Sequence, residues 1–181
     1  MTKILLVIVL LIALIPLSSR AADPLQKAAV FGDAEARFKL GSMYYHGDGG
    51  MPKDSEKAFK WLTKASEQGH EMATLILATM YLDGEGVEQD AVRSYRLIHA
   101  AAWKGLPSAQ AILGLYYCDG IGVDKDLSQC AAWYDMAAAQ GVEEAKGELM
   151  AILETMTPGQ IAKATELSKK FWLEIVEKRL E

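Results

Sequence analysis

Residues Ala109–Gly141, AQAILGLYYCDGIGVDKDLSQCAAWYDMAAAQG, form a unit that occurs twice more upstream in recognisable form. Gly69, Gly105 and Gly141 stand 36 residues apart, and Gly32 stands 37 before the first of them. Between these marks Ala36, Ala73 and Ala109 align, then Leu40, Leu77 and Leu113, then Gly41, Ala78 and Gly114, then Tyr44, Tyr81 and Tyr117. The loop that follows repeats as Gly47, Gly84 and Gly120, then Asp54, Asp90 and Asp126. The first copy has one extra loop residue, GDGGMPKD against GEGVEQD, which accounts for the longer interval. A fixed period of this length is the mark of a solenoid built from stacked units.

Each unit reads as a helical hairpin. Helix A is expected near Ala34–His46, Glu71–Leu82 and Pro107–Cys118. Helix B is expected to open at Asp54, Asp90 or Asp126, whose carboxylates accept otherwise unpaired N–H groups of the first turn. Gly69, Gly105 and Gly141 close the B helices in the left-handed conformation that glycine adopts without penalty. The columns at 36, 40, 41 and 44 share one face of helix A. The small residues Gly41, Ala78 and Gly114 are expected to meet Ala65, Ala101 and Ala137 of helix B, letting the backbones approach. Trp61, Leu97 and Trp133 form a bulky column, with Phe59, Tyr95 and Ala131 two residues before it. Such units cover their apolar faces only by stacking, so the ends need caps. Asp23 and Pro24 read as the start of a leading half-unit that runs to Phe31 and stops at Gly32. Val142–Met156 starts a fourth unit, with Ala145 in its proper column, and then leaves the pattern. Thr157, Pro158 and Gln160 have capping-box spacing and open a last helix whose stripe is Ile161, Ala164, Phe171, Trp172 and Ile175.

Lys3, the apolar run Ile4–Leu17, and the small residues Ser19 and Ala21 have the form of a secretory leader, with the cut expected after Ala21. The run contains Pro16 and falls short of the roughly 20 apolar residues that span a bilayer. Cleavage would leave 160 residues, 181 less 21, the size of one domain. Losing Lys3 and Arg20 moves the net charge from −5 to −7. That balance is wrong for nucleic acid, which needs clustered Lys and Arg, and no membrane span remains after cleavage. The division expected is therefore leader 1–21, half-unit helix 22–32, repeats 33–69, 70–105 and 106–141, and a partial repeat with capping helix over 142–181.

The pattern A-x-x-x-L-G-x-x-Y-x-x-G-x-G-V-x-x-D, with Trp seven residues after the Asp and A-x-x-x-G at the end, resembles the Sel-like repeat (SLR), a relative of the tetratricopeptide repeat. The likeness covers Asp33 to about Ala145, and TPGQIAKA at 157–164 is similar to the last helix of secreted bacterial members. Ala78, Leu97 and the widened first loop depart from it. The resemblance implies an all-α, right-handed α/α superhelical solenoid with a C-terminal capping helix, acting as a non-enzymatic scaffold for a protein or peptide. Through cysteine-rich secreted relatives it also implies an alternative, a β-lactam-directed or cell-wall-related hydrolase.

Cys118 and Cys130 flank a hairpin centre at Asp124 at equal distance, so they can face each other and form a disulfide in an oxidising compartment. Two reduced core thiols are the other reading. His46, His70 and His99 occupy three different columns and make no repeated ligand set, and the acidic loops lack EF-hand register, with Val87 where a ligand is required. No cofactor or metal is implied, and no G-x-S-x-G, S-x-x-K or H-E-x-x-H motif is present. At 100° per residue the face of helix A opposite the core reads Phe38, Ser42, Leu75, Thr79, Ala111 and Leu115. That line is either the wall of a peptide groove or packing between repeats. Trp103 stands where the other copies have Glu67 and Ala139, either as a contact hot spot or as a shield over the next repeat.

Overall fold

The computed structural model describes residues 17–180, with side chains from 24 to 178. The described residues form an all-α helical repeat solenoid without strands. Its helices are α1 (Leu17–Val30), α2 (Ala34–His46), α3 (Ser55–Glu67), α4 (Glu71–Asp83), α5 (Ala91–Trp103), α6 (Pro107–Asp119), α7 (Leu127–Ala139), α8 (Glu143–Thr155) and α9 (Pro158–Leu180).

The repeated Asp locks each hairpin loop twice. Its carboxylate accepts from the first turn of helix B: Asp54 from Lys57 N–H at 2.9 Å, Asp90 from Arg93 N–H at 2.9 Å, Asp126 from Ser128 N–H at 2.8 Å. Its own N–H donates back to the carbonyl of the Tyr column, from Asp54 to Tyr44 at 2.9 Å, Asp90 to Tyr81 at 2.8 Å and Asp126 to Tyr117 at 3.1 Å. Both loop ends are thus tied whatever the loop length, and the longer first loop absorbs its extra residue between them. At the other end of helix B, Gly105 has φ +82°. This lets the Leu106 N–H reach the Ala101 carbonyl at 3.3 Å, and the same bond recurs from His70 to Ala65 and from Val142 to Ala137.

The small column of helix A makes its close approach one turn nearer the loop than the sequence suggests. A Cβ on Gly41 would stand 2.7 Å from the Leu62 side chain, and one on Gly114 would stand 3.0 Å from the Tyr134 ring and 3.2 Å from the Cys130 carbonyl. Ala65 and Ala137 are therefore not the facing residues. The Asp and Tyr bonds draw the hairpin shut beside its loop, and Ala137 packs instead with Cys130, Tyr134 and Ala145 of α8. In the middle copy the Ser94 hydroxyl donates to the Ala78 carbonyl at 2.7 Å.

Size alone suggests one domain, but packing divides the chain into two compact units, one ending at Ala73 and the other beginning at Thr74. Repeat arrays touch only their neighbours and so have no single centre. In the first unit, Ala29, Ala36 and Leu40 form a core with Leu25, Tyr44, Met51 and Trp61 packed against it. α1 begins at Leu17 and carries Pro24 inside it, so Asp23 and Pro24 do not open the helix. Pro24 leaves one intrahelical N–H bond of α1 unmade. Residues 1–16 of the expected leader lie outside the described residues.

In the second unit the largest core joins Ala78, Ile98, Leu113, Tyr116, Trp133 and Met136 to Phe171 and Ile175 of the last helix. α9 runs along α7 in the same direction. Its first turn is tied to α7 by Lys163 Nζ and Asp126 Oδ2 at 3.0 Å and by the Ser128 hydroxyl donating to the Gln160 carbonyl at 3.3 Å. Burial acts to raise the Asp126 carboxyl, but the bonds from Lys163, Gln129 and Ser128 outweigh it and hold it below the ordinary carboxylate range. The capping box is present, with Thr157 N–H donating to Gln160 Oε1 at 2.8 Å and Gln160 N–H to Thr157 Oγ1 at 3.3 Å. Trp172, expected in the buried stripe, is 45 % exposed, because at 100° per residue it lies a quarter-turn off the face of Phe171 and Ile175.

Two glycines check this packing with opposite signs. Gly114→Val is expected to lower stability by about 1–3 kcal/mol, since its branches meet Tyr134 and the Cys130 carbonyl. Gly147→Ala, mid-helix in α8 with nothing within 4 Å of a new Cβ, is expected to gain about 0.5–1 kcal/mol. Thermal denaturation of both variants reads the signs.

Candidate functional site

The two units each carry part of the expected outward face. In the first, Phe38 of α2 is half-buried and stacks on the His70 ring, centroids 4.2 Å apart, and Ser42 is half-buried one turn later. In the second, α4 supplies Leu75 and Thr79, and α6 supplies Ala111 and Leu115. These four differ by column. Leu75 packs against the core around Leu113 and Trp133, and Ala111 packs against Cys130, Tyr134 and Ala137. Thr79 and Leu115 are exposed, Leu115 by 42 %. An A helix inside a solenoid is gripped by its own partner and by the hairpins beside it, so apolar contact reaches past the face that a helical wheel assigns to the core. What remains open in the second unit is the column of Thr79 and Leu115. The Thr79 hydroxyl is spent on the Leu75 carbonyl at 3.2 Å, leaving its methyl group as the outward surface.

Trp103 is inside the second unit, in the shielding position. Its ring meets Trp133 edge to face at 5.3 Å and Phe171 at 5.1 Å, while Trp133 and Phe171 stack at 4.6 Å. Its indole N–H donates to His99 Nε2 at 2.9 Å, and Lys178 Nζ sits 5.3 Å from the ring centre. Trp103 is half-buried, with α9 covering part of its ring. Burial holds the His99 imidazole below its ordinary pKa of 6.5, and accepting the Trp103 proton requires the neutral ring.

Cys118 and Cys130 are joined by a disulfide, Cα atoms 5.2 Å apart, linking the end of α6 to the first turn of α7. Cys130 is fully buried and Cys118 half-buried. A residue twelve positions along the chain is thereby fixed across the loop.

Several groups that could do chemistry are engaged in structural bonds. His70 accepts from Ala73 N–H through Nδ1 at 3.3 Å, capping α4, and meets Glu35 through Nε2 at 3.1 Å. Ser94 is buried between the Ala78 carbonyl and the Tyr116 hydroxyl, 2.7 Å from each. Tyr95 and Tyr117 bond through their hydroxyls at 2.9 Å. Burial first, then the Tyr95 bond, pushes the Tyr117 phenol up, and burial with nearby Glu148 and Asp119 pushes Tyr134 up to about 12. Both therefore stay protonated at neutral pH and offer no base. Among the described residues no group of three His, Cys, Asp or Glu side chains is placed to hold a metal ion. No described helix is long and apolar enough to cross a membrane. The exposed pair Trp172 and Leu173 is missed in the sequence because Trp172 is assigned there to the buried stripe and Leu173 to no face.

Comparison with known proteins gives three Sel1 repeats, at residues 34–70, 72–105 and 107–142. A solved Sel1 repeat protein from Oxalobacter formigenes is 41 % identical with a TM-score of 0.65, the match covering 73 % of this chain and 98 % of that one. A protective antigen of uropathogenic Escherichia coli strains displaying an SLR fold has a TM-score of 0.57 at 24 % identity, over 85 % of this chain and 41 % of that one, a likeness of fold alone. Two curated relatives match over about a third of the chain. An ERAD-associated E3 ubiquitin-protein ligase component of Arabidopsis thaliana is 37 % identical over 62 residues, 34 % of this chain and 9 % of that protein. Chitin synthase regulatory factor 3 of Schizosaccharomyces pombe is 40 % identical over 63 residues, 34 % of this chain and 7 % of that protein. The chain thus spans less than a tenth of either curated relative.

Two outcomes follow for the second unit. Because the folded state holds His99 neutral while the unfolded chain protonates it near its ordinary value, unfolding takes up a proton below about pH 6.5. Stability is therefore expected to fall as pH drops from about 7 to about 5, and His99→Gln, which keeps an acceptor for Trp103, is expected to flatten that slope in thermal melts. Reduction of the Cys118–Cys130 bridge is expected to cost roughly 3 kcal/mol on the loop-entropy estimate, read as a lower melting temperature in reductant. Unreduced protein is expected to resist thiol labelling.

Proposed function

The chain belongs to the Sel1 repeat family, and from that premise we propose that it is a protein-interaction adaptor without catalysis of its own. Its second unit holds a protein or peptide segment against the column of Thr79 and Leu115. The observation that carries this reading is Leu115, a large apolar side chain left 42 % exposed on α6 while its neighbour Leu113, two residues earlier, is fully buried. A leucine held out on a rigid helix is a contact waiting for an apolar partner. The names of the two curated relatives, a ligase component and a regulatory factor, agree with work done through other proteins. In the same reading the adaptor acts in the periplasm or outside the cell, supported by the leader-like residues 1–21 and by the disulfide.

A hydrolase directed at β-lactams is the rival. It needs a nucleophile beside a base, and the buried Ser94 and His99 are each committed to structural partners. Steady turnover of a chromogenic β-lactam by the purified protein would replace the adaptor reading.

The direct test recovers the partner by affinity purification from the native host, identifies it by mass spectrometry and measures its binding to variants. Leu115→Glu is expected to weaken capture a hundredfold or more, since an unpaired carboxylate buried in an apolar contact costs several kcal/mol, with the melting temperature nearly unchanged. Leu113→Glu is expected to unfold the second unit, and Leu75→Glu to destabilise it. Equal melting losses in Leu113→Glu and Leu115→Glu would make the outward column part of the core and remove the proposed surface.

A further inference from the structure

A capping helix closes a solenoid when its inner face is apolar and its outer face polar. α9 meets the first condition and breaks the second. Beside the buried line of Ala164, Phe171 and Ile175 it carries a second apolar flank, with Trp172 45 %, Leu173 60 % and Val176 36 % exposed. This flank borders an open groove of about 400 Å³ between α7 and α9, lined by Asp135, Met136, Ala139, Lys169, Trp172 and Leu173. Besides Asp135, Lys169 and the Ser168 hydroxyl, the groove is lined by apolar side chains. None of these residues belongs to the Thr79 and Leu115 column.

We propose that this α7–α9 face is the contact through which two copies of the chain associate about a twofold axis. A twofold contact uses the same patch on both molecules, so that patch must be complementary to itself: whatever protrudes must find a recess, and each charge must find its opposite. The face satisfies both demands. It holds a recess and, on its edge, an exposed Trp172 and Leu173 of a size to fill one. Asp135 on α7 and Lys169 on α9 both face solvent, and neither is in an ion pair among the described residues. With the axis passing between them, Asp135 of one copy meets Lys169 of the other, twice. The charge of α9 differs in sign from that of the rest of the chain. α9 carries Lys163, Lys169, Lys170, Lys178 and Arg179 against Glu166, Glu174 and Glu177, a balance of +2 on a chain of net −5, so the remainder is −7. Two such basic helices repel each other across the axis, so the two Asp135–Lys169 pairs must offset that repulsion.

The experiment uses protein purified after expression of the full chain, its mass measured by sedimentation velocity across a concentration series, with Trp172→Glu, Leu173→Glu, Asp135→Lys and the double variant Asp135→Lys/Lys169→Asp beside it. The expected result is a concentration-dependent dimer that each single variant weakens tenfold or more at unchanged melting temperature, and that the double variant restores. A monomer at every concentration would overturn the proposal, as would association untouched by Trp172→Glu and Leu173→Glu, or a double variant no better than Asp135→Lys. Vesicles of anionic lipid form a parallel arm. Binding to them that is lost in Trp172→Glu, by a protein that remains monomeric, would assign the face to a membrane surface instead.

Discussion

Phe171 lies flat on Trp133, 4.6 Å between ring centres, with Trp103 set edge-on against both. Three rings from three helices form the contact on which the second unit depends. A helical hairpin of this length cannot bury both faces of its own helices, and each copy leaves the bulky column of helix B uncovered. For α7 that column holds Trp133, the largest fully buried side chain among the described residues, and Phe171 of α9 stacks on it beside Trp103. Aromatic pairs in these geometries add about 0.5–1.5 kcal/mol beyond their area. Removing the apolar surface of Trp133 from water contributes more than the ring geometry does.

Much of this was legible in the sequence because the repeated residues do local work. The Asp column caps helix B and ties the loop back to the Tyr column, bonds that depend on residues within about ten positions of each other, so the hairpin boundaries fall within a residue of those read from the period. The capping box at Thr157 and Gln160 is equally local. The features that eluded the sequence are long-range. Which small residue meets which depends on where the loop bonds close the hairpin, so Gly114 meets Tyr134 and Cys130 and not the expected Ala137. Trp103 has two meanings until Phe171 and His99 are seen around it. A helical wheel does not give the degree of exposure along the outward face: Leu75 is partly buried against the core around Leu113 and Trp133, and Ala111 against Cys130 and Tyr134 of α7 and Ala145 of α8.

The same economy explains what is left for function. Two histidines and a buried serine are spent on capping and core bonds: His70 on the start of α4, His99 on the Trp103 N–H, Ser94 on Ala78 and Tyr116. Among the features left open are apolar side chains held on helices, Leu115 on one surface and Trp172 with Leu173 on another. Stability comes from local capping and from the terminal clamp, so these surface residues are free to serve contacts. That division suits an adaptor, whose partner surface can change without disturbing the stack.

α9 completes the core of the second unit and is not an appendage to it. Hydrogen exchange followed by mass spectrometry tests this most directly, comparing the unchanged protein with Phe171→Ala. Amides of α5, α6 and α7 are expected to lose protection together with those of α9, because Trp133 and Trp103 lose their cover at once. Faster exchange confined to α9, with α5, α6 and α7 as protected as before, would contradict it.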